Sequence, residues 1–272
     1  MVIQHNLSAM NTNRQLGVTN DILSKSTEKL SSGYRINRAG DDAAGLAISE
    51  KMRSQIRGLD QASTNAQDGI SVIQIAEGAL AETHDILQRM NELATQAAND
   101  TNTTIDRSAI KLEVDALVSE IDRIQSTTQF NTMNLLDGSF SSKNLQVGAL
   151  CGQSIAITIS NMSASILGVG QSSVQMTSFS TAGAAMSKIQ SAIDKVSTQR
   201  AKLGALQNRL EHTIKNLDTT AENTQAAESR IRDVDMASEM VTYSNTNILA
   251  QAGQSMLAQA NQANQGVLSI LG

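Results

Sequence analysis

Residues Asp41 to Ala98 read DDAAGLAISEKMRSQIRGLDQASTNAQDGISVIQIAEGALAETHDILQRMNELATQAA, and no proline interrupts them. Met52, Ile56, Leu59, Ala62, Ala66, Ile70, Ile73, Ala76, Leu80, Thr83 and Leu87 recur at steps of three and four. The mean step is about 3.5 residues, the period of a coiled coil rather than of a lone straight helix. A helix over this stretch is about 85 Å long at 1.5 Å per residue. A compact globule of this chain length has a radius of gyration near 18 Å and is only about 48 Å across. The stretch therefore predicts an elongated molecule in which other segments lie alongside one long helix. Small seam residues such as Ala62, Ala66 and Ala76 let neighbouring helices approach closely. Asp41 and Asp42 stand where an N-cap and a favourable dipole charge are expected, and Asn99-Asp100-Thr101-Asn102 supplies the stop.

Composition agrees with this reading. The 272 residues contain no proline, which suits uninterrupted helices, and no tryptophan. Only Tyr34, Phe130, Phe140, Phe179 and Tyr243 are aromatic, too few for an ordinary globular core. No apolar run approaches the ~18 residues of a spanning helix, so membrane insertion is not expected. The net charge of −5 comes without a basic cluster, which points away from nucleic acid. Cys151 is the only cysteine and excludes an internal disulfide or a cysteine zinc cage. The N-terminus shows neither a basic n-region nor a long apolar h-region, so no cleaved secretory signal is visible.

In order, residues 1 to 33 carry a diluted helical seam at Ile3, Leu7, Met10, Leu16, Leu23 and Leu30. Isolated helices are marginal even with good formers, so this one needs partners. Residues 34 to 40 form an irregular spoke. After the long helix, Thr103-Thr104-Ile105-Asp106 resembles a capping box, followed by a seam at Ile110, Val114, Leu117, Ile121 and Ile124. The short link predicts an antiparallel helix pair. Asp137-Gly138 is a turn signal, and Ile155 to Ile159 alternates with β-branched residues, so a small β-hairpin region is expected over about 134 to 160. Residues 161 to 180, rich in Ser, Gly and Thr, read as a loop or edge extension. Helix returns near Thr181 with a seam at Ile189, Ile193, Val196, Leu203, Leu210, Ile214, Leu217, Ala221, Thr224 and Ile231, interrupted by Arg200.

The last segment carries Met236, Met240, Tyr243, Leu249, Met256, Ala260, Ala263, Val267 and Ile270 among many Asn and Gln residues. The fold class is thus mainly α, a long antiparallel coiled-coil rod with a small β-hairpin region at its distal end. Its segments are 1–40, 41–180, 181–234 and 235–272. Two weakly apolar, amide-rich terminal helices that cannot hold themselves together predict ordering by packing into many copies of the chain. Leu7, Met10, Leu23, Leu30, Leu249, Met256, Val267 and Ile270 are the candidate polymerisation residues.

The stretches Leu30 to Asn37 (LSSGYRIN), Asp41 to Ala47 (DDAAGLA), Gln67 to Ser71 (QDGIS) and Glu77 to Leu80 (EGAL) resemble the N-terminal signature of bacterial flagellin. Leu203 to Leu210 (LGALQNRL), Ser229 to Asp235 (SRIRDVD), Ala258 to Gln262 (AQANQ) and Val267 to Leu271 (VLSIL) resemble its C-terminal signature. The resemblance implies a self-assembling helical homopolymer, the extracellular flagellar filament of motility, with the terminal helices lining an inner tube. The join at about 160 to 180 is too short for an inserted surface domain, which makes this a minimal, core-only member. It further implies unfolded export through the flagellar type III machinery. The partners implied besides the chain itself are an export chaperone, the filament cap and the hook–filament junction proteins. Toll-like receptor 5 is the implied immune receptor, with the matching positions at Gln88 to Gln96, namely Gln88, Arg89, Leu93 and Gln96, and at Glu113. Arg89, Leu93 and Gln96 are spaced to share one helix face, read as exposed in the free subunit.

Chemistry of other kinds has little to stand on. His5, His84 and His212 are far apart, none begins a His-Glu-x-x-His zinc motif, and no Gly-rich phosphate loop is present. No cofactor, metal site or catalytic group is expected. Two structural alternatives stay open on the sequence: a low-copy hook–filament junction protein and a generic coiled-coil scaffold.

Overall fold

The computed structural model describes residues 6–271, with side-chain surroundings described through residue 262. Ile3, the first seam position above, lies outside the described residues, and so do the side chains of Ala263, Val267 and Ile270. Six helices and four short strands follow one another as α1 (Leu7–Ser32), α2 (Ala43–Ala97), α3 (Thr104–Thr127), β1 (Gln129–Phe130), β2 (Met133–Asn134), β3 (Lys143–Gln146), β4 (Ser154–Ile157), α4 (Ala164–Leu167), α5 (Phe179–Arg232) and α6 (Met236–Leu271). The chain is mainly helical, as the periodicity required. It divides into two compact units: one runs from Ile56 to Ala221, and the other takes in the chain before and after it.

In the central unit α2 and α5 run antiparallel. Leu59 and Ala62 of α2 meet Leu217 of α5, the Ser63 hydroxyl donates to Asp218 at 3.0 Å, and Glu77 lies 3.7 Å from Arg200. Most of the expected α2 seam is buried: Leu59, Ala62, Ala66, Ile73, Ala76, Leu80, Thr83 and Leu87. On α5 the buried residues Ala182, Ala185, Ile189, Ala192, Val196, Gln199 and Leu203 alternate at three and four. The polar interruption of this seam is Gln199, not Arg200. Gln199 is 3% exposed, and its amide donates to the Thr158 carbonyl at 3.2 Å, which satisfies both groups. Arg200, one position on, turns its charge toward Glu77.

Helix α3 packs as a third member through Ile110, Val114, Val118 and Ile121. Its start is the expected capping box. The Thr103 hydroxyl accepts from Asp106 N at 3.3 Å, and the Asp106 carboxylate accepts from Thr103 N at 2.8 Å. Arg107 ties the preceding turn together by donating to the Ala97 and Asn99 carbonyls at 3.0 and 3.2 Å.

The expected hairpin is β3 paired antiparallel with β4, Leu145 opposite Ile155. It lies against α2, and Gly69 explains how closely. A Cβ there would stand 2.2 Å from Leu145 Cδ1, so a larger residue would have to displace the Leu145 side chain from the helix. Two features differ from the sequence expectation. A second, tighter hairpin joins β1 to β2 through Asn131 and Thr132, both at positive φ, as a two-residue primed turn requires. Thr132 is β-branched and rarely adopts that conformation, so composition hid the turn. The stretch 161–180 is the expected loop, broken by one short helix, but it packs more closely than its composition suggests. Met162, Ala164, Leu167, Val169, Val174 and Met176 are all buried, and Ser163 caps the one-turn α4. Its Ser and Gly residues make turns between apolar anchors.

In the unit of the chain ends, α1 and α6 lie antiparallel, with the Asn6 amide donating to the Ala260 carbonyl at 2.9 Å and Ser26 near the other end meeting Glu239. The spoke between α1 and α2 is pinned to the link between α5 and α6. Arg35 N donates to the Arg232 carbonyl at 2.7 Å, and Val234 N to the Gly33 carbonyl at 3.0 Å. The Arg232 guanidinium lies 4.7 Å from the centre of the Tyr34 ring, and Ile36 is buried beneath the spoke. Asp42 caps α2 by accepting from Gly45 N at 2.9 Å. Asp41 accepts from Asn37 N and Arg38 N, and these backbone donors hold its carboxyl below the usual carboxylate range.

Candidate functional site

The pairing of α1 with α6 uses different residues from those a hydrophobicity count selects. Facing α6, α1 turns inward Thr12, Leu16, Thr19, Leu23, Ser26 and Leu30, spaced four and three. The corresponding row on α6 is Tyr243, Thr246, Ala250, Gly253, Leu257 and Ala260. Hydroxyl and small residues hold much of this seam. The approach is close: a Cβ on Gly253 would be 3.2 Å from Leu16 Cδ1. The Ser26 hydroxyl donates to the Glu239 carboxylate, which also pairs with Lys29 at 3.6 Å.

The larger apolar residues are left outside. Leu7 is 70% exposed, Leu249 59% and Met256 58%, and Met10, Val18, Ile22, Met236, Met240, Val241 and Ile248 are also exposed. Of the candidate polymerisation residues, Leu23 and Leu30 thus belong to the seam of the pair itself. Leu7, Met10, Leu249 and Met256 face away from it. Val267 and Ile270 fall where side chains lie outside the described residues. Sequence reading merged two faces into one because both use the same 3.5-residue period. A groove of about 440 Å³ runs along the pair, lined by Asn11, Gln15, Leu16, Leu249, Gly253 and Met256. An exposed apolar face of this extent marks a protein interaction surface.

The second candidate is the segment Gln88 to Gln96 on α2 with Glu113 on α3. Arg89 forms a fork on Glu113, with Nε at 3.2 Å and Nη2 at 3.0 Å from the same oxygen, while Nη1 reaches Glu92 at 3.0 Å. Glu113 first, and Glu92 after it, strengthen the hold of Arg89 on its proton. Gln88, Arg89 and Gln96 are exposed, and the Gln88 amide nitrogen lies 2.9 Å from His84 Nε2. Leu93 is the correction. It is 2% exposed and belongs to the core with Met90 and Leu87, because the step from Arg89 to Leu93 crosses from the outer face to the seam edge. The exposed patch is therefore polar, an arginine between two carboxylates rather than an arginine beside a leucine.

Among the described residues, no group of three or more His, Cys, Asp or Glu could hold a metal ion, and no helix is long and apolar enough to cross a membrane. Two features that escaped the sequence reading are the Tyr34–Arg232 stack and the buried Gln199. A glutamine at a seam position of a heptad is the signal that marks the latter.

Comparison with known proteins gives this geometry its context. The bacterial flagellin N-terminal helical region matches residues 3–141, and the bacterial flagellin C-terminal helical region matches residues 186–271. A flagellin of Halalkalibacterium halodurans is 57% identical over 271 residues, with all of both chains covered. A flagellin of Bacillus subtilis is 50% identical over 303 aligned positions, again with both chains covered in full. The crystal structure of Bacillus cereus flagellin aligns with a TM-score of 0.51 at 31% identity, covering 61% of this chain and 94% of that one. The outward apolar face on paired terminal helices is what a subunit meant for self-assembly needs, and the matches at both ends agree: the chain belongs to the bacterial flagellin family, structural proteins that polymerise into the extracellular flagellar filament.

Proposed function

We propose that the outer faces of α1 and α6 are the principal polymerisation surface of this subunit, and that residues 1–40 and 235–272 form the inner tube of the filament. Residues 41–180 and 181–234 form the surrounding layer. The observation that carries the reading is the placement of Leu7, Met10, Leu249 and Met256 outside the seam of their own helix pair. A seam in which Leu16, Leu23, Leu30 and Leu257 alternate with threonine, serine, alanine and glycine gives the pair only modest hydrophobic stabilisation of its own. In one chain the ends gain too little to offset their ordering entropy, and they become stable when neighbouring copies cover the outer faces.

The family resemblance extends the proposal to partners. The chain leaves the cell unfolded by the flagellar type III route, its C-terminal segment is held beforehand by an export chaperone, and it meets the filament cap and the hook–filament junction proteins on arrival. The exposed Arg89–Glu113–Glu92 cluster, flanked by Gln88 and Gln96, is the surface offered to Toll-like receptor 5, with Leu93 shaping the patch from below.

Deletion of residues from 236 onward is the direct test. The truncated chain is expected to keep its helicity and solubility and to remain in the supernatant after seeding, whereas the full chain pellets. Limited proteolysis of the monomer should trim both ends to a core of about residues 40 to 230. A truncated chain that still forms sedimentable polymer overturns the assignment.

A further inference from the structure

On α5 the core positions recur at Ile189, Val196, Leu203 and Leu210, and the residue before each is Lys188, Lys195, Lys202 and Arg209. Four cations at intervals of seven residues form one line along the helix, about 31 Å from first to last. All four are exposed. In a coiled coil such flanking positions ordinarily meet carboxylates on the partner helix. Here they do not. Lys188 donates to the Ser173 carbonyl at 2.8 Å, and Lys195 to the Ile166 and Leu167 carbonyls at 3.1 and 3.3 Å. Among the described residues, neither Lys202 nor Arg209 has a side-chain partner, and the ion pairs from α5 to α2 are made by other residues, Arg200 with Glu77 and Arg232 with Glu50.

Helix α2 shows the opposite bias. From Asp60 to Glu92 it carries Asp60, Asp68, Glu77, Glu82, Asp85 and Glu92 against one arginine, Arg89. Asp68, Glu82, Asp85 and Glu92 are exposed, and the first three have no ion-pair partner among the described residues. The span from Asp68 to Glu92 is about 36 Å, close to that of the basic line. The bias is a property of these two spans: Lys188 to Arg209 of α5 has Asp194 as its one acid, whereas α2 before Asp60 carries Lys51, Arg53 and Arg57, and α5 beyond Arg209 carries Glu211, Asp218, Glu222 and Glu228. Isolated surface charges need no explanation, but two lines of opposite sign and similar length in one self-assembling chain are complementary.

We infer that the basic line of α5 docks on the acidic face of α2 of a second copy, as a lateral contact between neighbouring subunits. The inference rests on the filament reading above and adds a second, electrostatic contact to the apolar one made by the terminal helices. Complementary lines of charge set register and partner choice, and juxtaposed like charges are strongly unfavourable. Each pair is partly exposed and weak alone, so the contact works as a set and weakens with salt, the Debye length being about 10 Å at 0.1 M.

Charge reversal in the full-length chain tests it. Lys202→Glu with Arg209→Glu removes two cations that have no partner within the chain, and Glu82→Lys with Asp85→Lys removes two acids likewise unpaired. Each double variant reverses half of one line and so sets like charges against one another over that half. Its seeded elongation rate is expected to fall about tenfold or more while monomer helicity and melting are unchanged. The chain carrying all four substitutions has the signs exchanged over that half of both lines and should recover most of the rate. Wild-type elongation should also slow as NaCl rises from 50 to 500 mM, a range chosen to bracket ~0.1 M. If wild type elongates and neither reversal slows it, or if the fourfold chain is no faster than the double variants, the lateral contact is wrong and the filament reading stands. If wild type itself does not elongate on seeds, both fall.

Discussion

The outward face of the terminal helices gives the most quantitative expectation. Leu249 is 59% exposed and Met256 58%, and both border the groove shared with α1. Full burial of such a side chain contributes about 1.5–3 kcal/mol. Rather more than half of each remains to be covered by a neighbour, so each contributes roughly 1–2 kcal/mol to subunit addition. Leu249→Ser with Met256→Ser should then weaken addition by about 2–4 kcal/mol, a rise of roughly 30- to 700-fold in critical concentration at 1.4 kcal/mol per tenfold. Melting of the monomer, which reports the central unit, should be almost unchanged, because both residues lie in the terminal pair, which gains little stability before assembly. The assay is sedimentation of seeded protein across a concentration series, with thermal melting of the monomer measured alongside. Unchanged critical concentration refutes the assignment of this face. A fall in monomer melting temperature of several degrees refutes it differently, by showing that these residues support the fold.

Other expectations follow from single contacts. Gly253→Leu puts a side chain where a Cβ alone already stands 3.2 Å from Leu16, so α1 and α6 should be held apart, visible in the seeded polymer as faster proteolysis of residues 6–30 with the central unit unaffected. Arg89→Ala breaks a half-exposed ion pair and should cost the monomer about 1 kcal/mol or less; receptor affinity and seeded elongation measured on the same preparation should both fall, and loss of binding with normal elongation would confine Arg89 to receptor contact. Hydrogen bonds from Thr103 hold the Asp106 carboxyl below the usual carboxylate range. Its stabilisation is therefore present above the unfolded-state value near 3.8 and is lost as pH falls through the lower folded-state value; Asp106→Asn should flatten the acid limb of the melting curve, and an unchanged limb would remove the capping box from the account.

How much the sequence discloses depends on which face a pattern is asked to resolve. The long helices, the capping box at Thr103 and the β3–β4 hairpin are local events, written in periods of 3.5 and 2 and in turn residues. Helix ends fell within a few residues for the same reason. The α1–α6 seam was legible only in part: Leu16, Leu23, Leu30, Tyr243 and Ala260 stand in it as the period requires, but the positions between them are Thr12, Thr19, Ser26, Thr246, Ala250 and Gly253, whose merit is small size and which apolarity does not mark. Leu93 was placed outside because a spacing of four keeps residues adjacent without saying which side of the core boundary each falls. The burial of Met162, Val169, Val174 and Met176 could not be read from a stretch dominated by serine and glycine, since tertiary contacts decide it. The Arg89–Glu113 fork joins residues 24 positions apart and needed the α2–α3 turn to be in place.

The amide of Gln199 has a consequence for length. Coiled-coil helices with a repeating seam are prone to slide by one heptad, which here would displace α5 by about 10.5 Å against its neighbours. Such a slip brings Ala192 or Leu206 to the place where Gln199 meets the Thr158 carbonyl. Neither can donate, so that carbonyl would lose its bond and Gln199 would be buried elsewhere without one, at about 1–3 kcal/mol for the buried amide. One glutamine therefore works as a ratchet tooth, making every copy of the subunit the same length. In a polymer where errors of length add up from one copy to the next, that uniformity is itself a mechanical property of the filament.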